Sequence, residues 1–317
     1  MHAPRATDEH WTSAYHAPVL VREILSLLAG ASSVLDGTLG GGGHAGALLA
    51  AGASVTGLDR DPDALIAARE RLRDYEGAGR FIAVHGNFAN VDEIGVLEGA
   101  RFDGILLDLG VSSHQLDALD RGFSFREGAP LDMRMAGADA SMTAADLLAD
   151  ADERELGGIF REYADEPRAM RLAREIVRRR ATRALSTSDD LVGAIRGALG
   201  PRTGPADFAR LFQAVRIAVN DEMEALREGL PRLRDRLTSG GIMAVITYHS
   251  GEDRLVKRAF REWSAACICP PRHPVCTCRG APLGELVAPR GLTPDAQEIA
   301  RNPRARSARV RGWRRAA

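Results

Sequence analysis

The sequence has very little lysine and no long apolar run. Lys257 is the only lysine among 42 lysines and arginines, and the formal net charge is −1. This balance argues against nucleic-acid binding through overall charge and leaves any such role to local patches. No apolar run approaches the length of a membrane span, and no charged-then-apolar leader opens the sequence. We therefore expect a cytoplasmic protein without membrane contact.

Cysteine is scarce and confined to one stretch, CICPPRHPVCTC. Its four cysteines are Cys267, Cys269, Cys276 and Cys278. Two C-x-C pairs around a proline-rich turn are suited to hold zinc, with His273 as a spare ligand. However, the spacing within each pair is shorter than the two-residue gap of zinc knuckles, and a disulfide is not expected in a cytoplasmic protein. We favour a packed thiol cluster and predict no metal.

Glycine, by contrast, is concentrated where the chain changes character. In VLDGTLGGGGHAG an apolar run ends in Asp36 and breaks into four glycines, Gly40 to Gly43. The pattern predicts a strand, a loop and a helix whose first amides point back at a nucleotide-like ligand, although a plain connector is the alternative. Asp36 is not part of the usual dinucleotide fingerprint, so it suggests a ligand with an amino group near the turn.

The following residues extend this frame. Ser54 to Leu58 reads as a second strand, which ends in Asp59 near the spacing at which a nucleotide-binding unit places a carboxylate on ribose hydroxyls. Asp61 and Pro62 then predict the start of a helix through Tyr75. The sequence therefore predicts a βαβα frame around a ribose-containing ligand.

Two further strands, Phe81 to Val84 and Phe102 to Leu107, complete the first half of a predicted parallel sheet. Phe88 follows the third strand and is suited either to lie against a flat ring or to fill the core. Since ligands bind at the carboxyl ends of such strands, we expect one edge of the sheet to gather the following residues: Asp36, Asp59, Phe88 and Asp108.

The region from about Ser141 to Gly200 has helical spacing and no obvious strand, so we interpret it as a helical insertion. It carries a run of arginines: Arg168, Arg171, Arg174, Arg178, Arg179, Arg180 and Arg183. A basic helical face binds phosphates, whereas a solvated helix would pair with carboxylates such as Asp165, Glu166 and Glu175. The sequence favours the pairing.

The sheet is then predicted to resume. A long amphipathic helix spans Phe208 to Leu230 with Pro231 after its end, and a strand, IMAVITYHS, follows Gly240 and Gly241. A helix over Glu252 to Trp263 comes next. The arginine-rich tail after Pro289 is expected either to touch nucleic acid or to be a solvated terminus.

Several long runs together resemble one family. They are LDGTLGGGGH, GLDRDP, DGILLDLGVSSHQLD, RGFSF, PLDMRM, FQAVRIAVNDE and YHSGEDRLVK, and they resemble the bacterial ribosomal RNA small-subunit methyltransferase H family, also called MraW. The resemblance implies an α/β fold, a class I (Rossmann-like) methyltransferase sheet interrupted by a helical substrate-recognition insertion. It divides the chain into residues 1–112, 113–207 and 208–317, the last including the basic tail.

The same resemblance implies methylation of the N4 amino group of a cytosine in the decoding centre of 16S rRNA, with S-adenosylmethionine as cofactor and the small ribosomal subunit as partner. A homodimer is left open. The implied cofactor contacts are Gly42, Gly43, His44, Asp59, Phe88, Asp108 and Gln115. Of these, His44 and Gln115 come from the resemblance alone. The chain departs from the family pattern in GPADFARLFQ, at Gly204, and in YHSGEDR, at Gly251.

The chemistry suggests a role for Asp108. The exocyclic amine of cytosine is a poor nucleophile, so a carboxylate at a strand end is needed to accept its hydrogen bond while it is held in line with the methyl group. We expect Asp108 or a neighbour in LGVSS to do this, with Tyr248 and His249 lining the base pocket. A nicotinamide oxidoreductase and a non-catalytic RNA-binding or assembly factor are the alternatives.

Overall fold

The computed structural model describes residues 18–137, 142–270, 275 and 277–317. The chain forms two compact units, one of Met1–Gly110 with Glu224–Ala317 and the other of Val111–Met223. The second unit overlaps residues 113–207 and continues past residue 207, because the apolar face of the helix that begins at Pro205 is buried in that unit's core.

The first unit is built on a seven-stranded sheet in the order β3-β2-β1-β4-β5-β7-β6. Strands β1 to β5 run parallel, whereas β7 pairs antiparallel with both β5 and β6. This confirms the predicted α/β sheet. The strands are β1 (Ser33–Asp36), β2 (Ser54–Asp59), β3 (Phe81–His85), β4 (Phe102–Asp108), β5 (Leu237–Thr247), β6 (Gly284–Leu286) and β7 (Arg309–Arg315).

Alternate residues of the central strands enter two different cores. Leu106 of β4 belongs to one cluster, whereas its neighbours Ile105 and Leu107 belong to the other. Because successive side chains of a strand point to opposite faces, the sheet is covered by apolar groups on both sides. The helices of this unit are α1 (Val21–Leu27), α2 (Gly43–Ala50), α3 (Pro62–Arg71), α4 (Arg73–Gly77), α11 (Glu222–Asp235), α12 (Ser250–Trp263) and α13 (Ala296–Arg301), α11 beginning at the boundary between the units.

The predicted long helix from Phe208 to Leu230 is wrong, since the chain forms two helices there. The first, α10 (Pro205–Val219), ends well before Leu230, and Asp221 beyond it has a left-handed φ of 49°. The Asn220 side chain holds this break by donating to the carbonyl of Met133 at 2.7 Å and accepting from the amide of Met135 at 2.8 Å. Pro231 lies inside α11 rather than after it.

The last part of the basic tail is also not a solvated terminus. Arg309–Arg315 form β7 against β5, with Trp313 fully buried. Arg311 makes two hydrogen bonds to Asp253, at 2.7 and 2.9 Å, and Arg315 donates to the Leu237 carbonyl at 2.7 Å. The two large apolar residues of this strand, Val310 and Trp313, enter different apolar clusters. Arginine therefore does not alternate regularly with apolar residues, and the segment carries no clear period-two signal of a strand.

The second unit is helical around a single apolar cluster. Its helices are α5 (Ser113–Asp117), α6 (Ala144–Asp150), α7 (Glu153–Ala164), α8 (Ala169–Arg180), α9 (Ser188–Leu199) and α10 (Pro205–Val219). These bounds bear out the predicted helical character of the region. The segment after Asp108 contains the short helix α5, which begins with a capping box between Ser112 and Gln115.

Several arginines of α8 contact carboxylates or carbonyls. Arg178 and Arg179 each lie 2.7 Å from Glu175, and Arg180 donates to the carbonyl of Leu148 at 2.8 Å. The hydrogen bond from Arg178 is the main cause that lowers the pKa of Glu175 to about 2. Arg178 and Arg179 therefore pair with a carboxylate, as the favoured alternative predicts.

Within the described ranges, no helix combines the length and apolar character needed to cross a membrane.

Candidate cofactor-binding and active site

The parallel part of the sheet has one point at which the strand order reverses. From β1 the order runs outward to β2 and β3 on one side and to β4 and β5 on the other. Ligands of open α/β sheets bind outside the carboxyl ends of the strands at such a point. Asp36 and Asp108 end the two strands that flank it.

The glycine loop crosses this edge between β1 and α2. Gly42 has a φ of +75° and stands just before α2, and a Cβ there would lie 2.9 Å from the Leu72 side chain. A Cβ at Gly43 would lie 3.0 Å from Pro18. The turn therefore requires glycine at its left-handed position, and side chains at either position would crowd the neighbouring residues.

Asp59 ties the glycine loop to the end of β2. Its Oδ2 accepts a hydrogen bond from the amide of Gly40 at 2.7 Å, and its Oδ1 accepts from the amide of Asp61 at 2.9 Å. Burial raises the pKa of this carboxyl, and these two hydrogen bonds act in the opposite direction. Asp61 in turn caps α3, as predicted.

Asp36 is the most unusual group at this edge. Its side chain is 1% exposed, and its Oδ1 accepts from the amide of Thr38 at 3.2 Å. Its Oδ2 is buried with no hydrogen-bond partner among the described residues. Burial is the main cause that raises the pKa of Asp36 to about 8, and the nearby carboxylates of Asp108 and Asp59 raise it further. A buried orphan oxygen of this kind calls for a donor from outside the chain.

Asp108 is held from three sides. Its amide donates to Thr38 Oγ1 at 2.6 Å, and the Tyr248 hydroxyl donates to its Oδ1 at 2.9 Å. Its Oδ2 lies 3.5 Å from His44 Nδ1, while His44 Nε2 lies 2.8 Å from the Val19 carbonyl. Since a carbonyl only accepts, Nε2 carries a proton, and Nδ1 pairs with Asp108 when the ring is also protonated there.

Tyr248 remains protonated at any physiological pH. Burial and the charge of Asp108 raise the pKa of its hydroxyl well above the usual value. A neutral tyrosine beside a carboxylate can only donate to it, which fixes the direction of the 2.9 Å hydrogen bond. Asp108 is therefore oriented at the end of β4 by a permanent donor.

Thr38 was not singled out in the sequence, although it supports Asp108 directly. We expect Thr38→Val to lower the free energy of unfolding by about 1–2 kcal/mol, because the Asp108 amide loses its acceptor without a change in side-chain shape. Urea unfolding measures this loss. Thr56→Val, in neighbouring β2, is the matched control, since its hydroxyl makes no hydrogen bond to a described residue. Equal losses in the two variants would contradict the assignment.

His249 was predicted to line the base pocket together with Tyr248, but its contacts differ from those of Tyr248. Its Nδ1 accepts from the amide of Gly251 at 3.2 Å, which makes it the cap of α12. Its Nε2 lies 3.1 Å from Glu252 Oε1, without hydrogen-bond geometry. Buried Glu252 also accepts from the Tyr248 amide at 2.8 Å. These contacts account for His249 as a residue that begins the helix.

Phe88 and Gln115 complete the predicted set. Phe88 is half-buried in the apolar cluster that packs on one face of the sheet, and a Cβ at Gly229 would lie 2.7 Å from its ring. Part of the Phe88 ring is packed against this cluster, which agrees in part with the alternative that Phe88 fills the core. Gln115 belongs to the second unit, where its Oε1 accepts from the Ser112 amide at 3.0 Å. Its role as a cofactor contact stays a prediction.

The site also depends on residues that gave no signal in the sequence, among them Val19, Thr38 and Glu252. The backbone partner of His44 could not be inferred from spacing, because Val19 is brought beside α2 only by the packing of α1. By contrast, a surface recess lined by Arg101, Arg232 and other residues lies by the amino end of β4, away from this edge.

Comparison with known proteins identifies the family. The model of the MraW methylase family matches residues 13–316. The chain belongs to the MraW methylase family. The resemblance found in the sequence is thereby confirmed, and a nicotinamide oxidoreductase is excluded. As a methylase of this family, the protein uses S-adenosyl-L-methionine, as predicted.

Curated relatives cover nearly the whole chain. A ribosomal RNA small subunit methyltransferase H from Gemmatimonas aurantiaca is 63% identical over 312 residues, 98% of this chain and 99% of its own. One from Heliobacterium modesticaldum is 44% identical over 309 residues, 94% and 97% of the two chains. The solved structure of an rRNA methylase from Streptococcus thermophilus, 11% identical, gives a TM-score of 0.43 and covers 99% of this chain and 100% of its own.

The residues of this methylase at the carboxyl edge fit S-adenosylmethionine chemically. The orphan Oδ2 of Asp36 is a suitable acceptor for an ammonium group, and the raised pKa falls once a positive charge is nearby. The left-handed turn at Gly42 presents backbone without side chains. Asp59 is held at the end of β2, the position of a ribose-binding carboxylate in such folds.

Proposed function

We propose that this MraW-family methylase transfers a methyl group from S-adenosylmethionine to the N4 amino group of a cytosine in the decoding centre of 16S rRNA. The observation that carries the proposal is the fixed carboxylate of Asp108 at the end of β4, next to the strand end that holds Asp36. The names of the curated relatives support small-subunit ribosomal RNA as the substrate.

The reaction needs a positioned acceptor more than a strong base. Bound S-adenosylmethionine supplies an electrophilic methyl group. The cytosine amine is a weak nucleophile, because its lone pair is delocalised into the ring. Asp108 accepts a hydrogen bond from that amine, so that the nitrogen becomes pyramidal in line with the methyl group and its proton has a place to go. The cytosine must leave its base stack to reach this carboxylate.

The neighbours of Asp108 keep its carboxylate ready for this role. Tyr248 donates to one oxygen and never competes as a base, since its pKa is raised. His44 faces the other oxygen. We assign Tyr248 to the side of the pocket that receives the base, and His249 to the start of α12, where its Nδ1 is already engaged.

The remaining assignments belong to the same proposal. We assign the loop glycines Gly42 and Gly43 with His44 to the methionine end of the cofactor, Asp59 to the ribose and Phe88 to the adenine, with Gln115 as a further contact. The unit Val111–Met223 would recognise RNA in the small ribosomal subunit, and this substrate implies a cytoplasmic location. A homodimer stays a prediction.

Transfer of radiolabelled methyl groups tests the function. The enzyme is incubated with labelled S-adenosylmethionine and small ribosomal subunits from cells that lack this modification, and the RNA is digested to nucleosides. We expect label in N4-methylated cytidine and none with subunits from modified cells. Cofactor binding with subunit binding and no transfer would contradict the proposal and favour the non-catalytic factor.

The two departures from the family pattern would then be examined first. Gly204 stands before α10, where its amide donates to Asp207 at 3.1 Å, and Gly251 lies in the first turn of α12, where its amide donates to His249. Both glycines lie at the start of a helix, and in each the backbone amide donates to a side chain of the same helix start. This location favours an effect on local packing over one on cofactor binding.

A further inference from the structure

The segment between α12 and β6 is a closed excursion whose described residues include no buried apolar cluster. The amide of Leu283 donates to the Trp263 carbonyl at 2.8 Å, which closes the base. Arg279 donates to the Ala265 carbonyl at 2.9 Å. Among the described residues of the excursion there is no helix or strand, and Ile268 and Val275 are 47% and 67% exposed. Something other than apolar burial must hold its fold.

Three thiols converge inside this excursion. The sulfur atoms of Cys267, Cys269 and Cys278 all lie within 4.8 Å of one another, and the three residues are present as thiols. The sulfurs of a tetrahedral zinc site lie about 3.8 Å apart, given Zn–S bonds of about 2.3 Å. A small adjustment of side chains therefore brings all three sulfurs to bonding distance from one ion.

Backbone amides already point at two of these sulfurs. The amide of Ile268 donates to Cys278 Sγ at 3.3 Å, and the amides of Thr277 and Cys278 donate to the sulfur of Cys269. Amide donors stabilise thiolates and orient them as ligands, as they do around metal–thiolate centres. A packed thiol cluster would instead need burial, yet Cys267 is exposed.

We propose that Cys267, Cys269 and Cys278 bind one structural zinc ion that fixes the excursion between α12 and β6. Soft thiolate ligands select zinc among the common divalent ions, and three thiols release protons as they bind it. The ion would stabilise this segment, in which the described Ile268 and Val275 are exposed. His273 and Cys276, the other residues considered in the sequence, lie outside the described residues, and the fourth ligand is not assigned. This proposal differs from the metal-free cluster expected from the sequence.

Metal analysis of the full-length protein, purified without chelator from zinc-supplemented cells, tests the proposal. We expect about one zinc per chain, and none in Cys267→Ser/Cys269→Ser/Cys278→Ser. The control Ile268→Ser changes an exposed side chain between two of the thiols and should retain the zinc, because only its backbone amide contacts a sulfur.

A second measurement applies whether or not the triple variant folds. Wild-type protein stripped of metal under reducing conditions is titrated with Co²⁺ and then with Zn²⁺. We expect thiolate-to-cobalt charge-transfer absorption that zinc abolishes, and at least tenfold slower proteolysis within residues 264–282 once zinc is bound. Well-folded wild-type protein that contains no zinc and shows no thiolate absorption with Co²⁺ would overturn the proposal.

Discussion

Asp108→Asn is expected to lower the rate of methyl transfer at saturating cofactor by roughly 10²- to 10⁴-fold. The substitution keeps the shape of the side chain and an oxygen that accepts from Tyr248. It replaces the other oxygen with an amide group that donates, so it cannot accept the hydrogen bond of the cytosine amine. Single-turnover methylation of small ribosomal subunits with excess cofactor measures the effect on the chemical step.

Two further variants separate this role from a merely structural one. Asp108→Ala should lose activity at least as strongly, whereas Tyr248→Phe, which keeps the carboxylate but removes its donor, should lose about 10- to 100-fold. Thermal unfolding of each variant checks that the fold is intact. Full methylation by Asp108→Ala at saturating cofactor would defeat the assignment of Asp108 as the acceptor.

Asp36→Asn is expected to weaken cofactor binding by roughly 10- to 100-fold at pH 8, because a charged acceptor for the cofactor ammonium is replaced by a neutral one. Calorimetric titration with the unreactive product S-adenosylhomocysteine, which carries the same ammonium, measures the change. Asp74→Asn is the matched control, since Asp74 is an exposed carboxylate in the first turn of α4. It should bind like the wild type.

The pH dependence of binding gives a sharper test of the same residue. The pKa of Asp36 is raised to about 8 in the ligand-free protein, so the carboxyl is protonated at pH 6. Binding of an ammonium must then release a proton, and wild-type affinity should rise by up to about tenfold per pH unit between pH 6 and 8. Asp36→Asn should remove this slope. A wild-type affinity that does not vary with pH would contradict the assignment.

The stability of the ligand-free protein should respond in the opposite sense. Since burial raises the pKa of Asp36 from 3.8 to about 8, its contribution to stability is full below pH 3.8 and is lost as the pH rises to about 8. Between these two pH values the loss of stability is at most about 1.4 kcal/mol per pH unit for a single proton. Asp36→Asn should therefore raise the unfolding temperature at pH 9 and weaken binding at the same pH. If Asp36→Asn lowered both the unfolding temperature and the cofactor affinity at pH 9, the role of Asp36 would be purely structural.

Strands β1 to β4 and the start of α3 were predictable because their signals are local. Each strand is a short apolar run bounded by polar residues or glycine, and Asp61 with Pro62 marks a helix start through contacts within a single turn. The helical insertion was predictable for the same reason. The carboxyl ends of β1, β2 and β4 form the sheet edge that carries the candidate site, so its general position was also predictable.

The errors arose where distant contacts outweigh local pattern. No glycine marks the break between α10 and α11. The break depends instead on the side chain of Asn220, which makes hydrogen bonds to the backbone of Met133 and Met135. The segment that forms β7 has too many arginines to resemble a buried strand. Arg311 contacts Asp253, and Trp313 is buried in the core, only because the segment pairs with β5. Charge composition alone could not distinguish paired from solvated arginines.

The sequence by itself determined the α/β frame, the glycine turn and the carboxylates that end β1, β2 and β4, because strand ends and tight turns are encoded by neighbouring residues. Only the tertiary structure decided what surrounds each carboxylate. Asp36 has an orphan buried oxygen, whereas Asp108 is held by Thr38 and Tyr248. Burial and hydrogen bonding between residues far apart in the chain set the charge and direction of these groups, and no local pattern records such contacts.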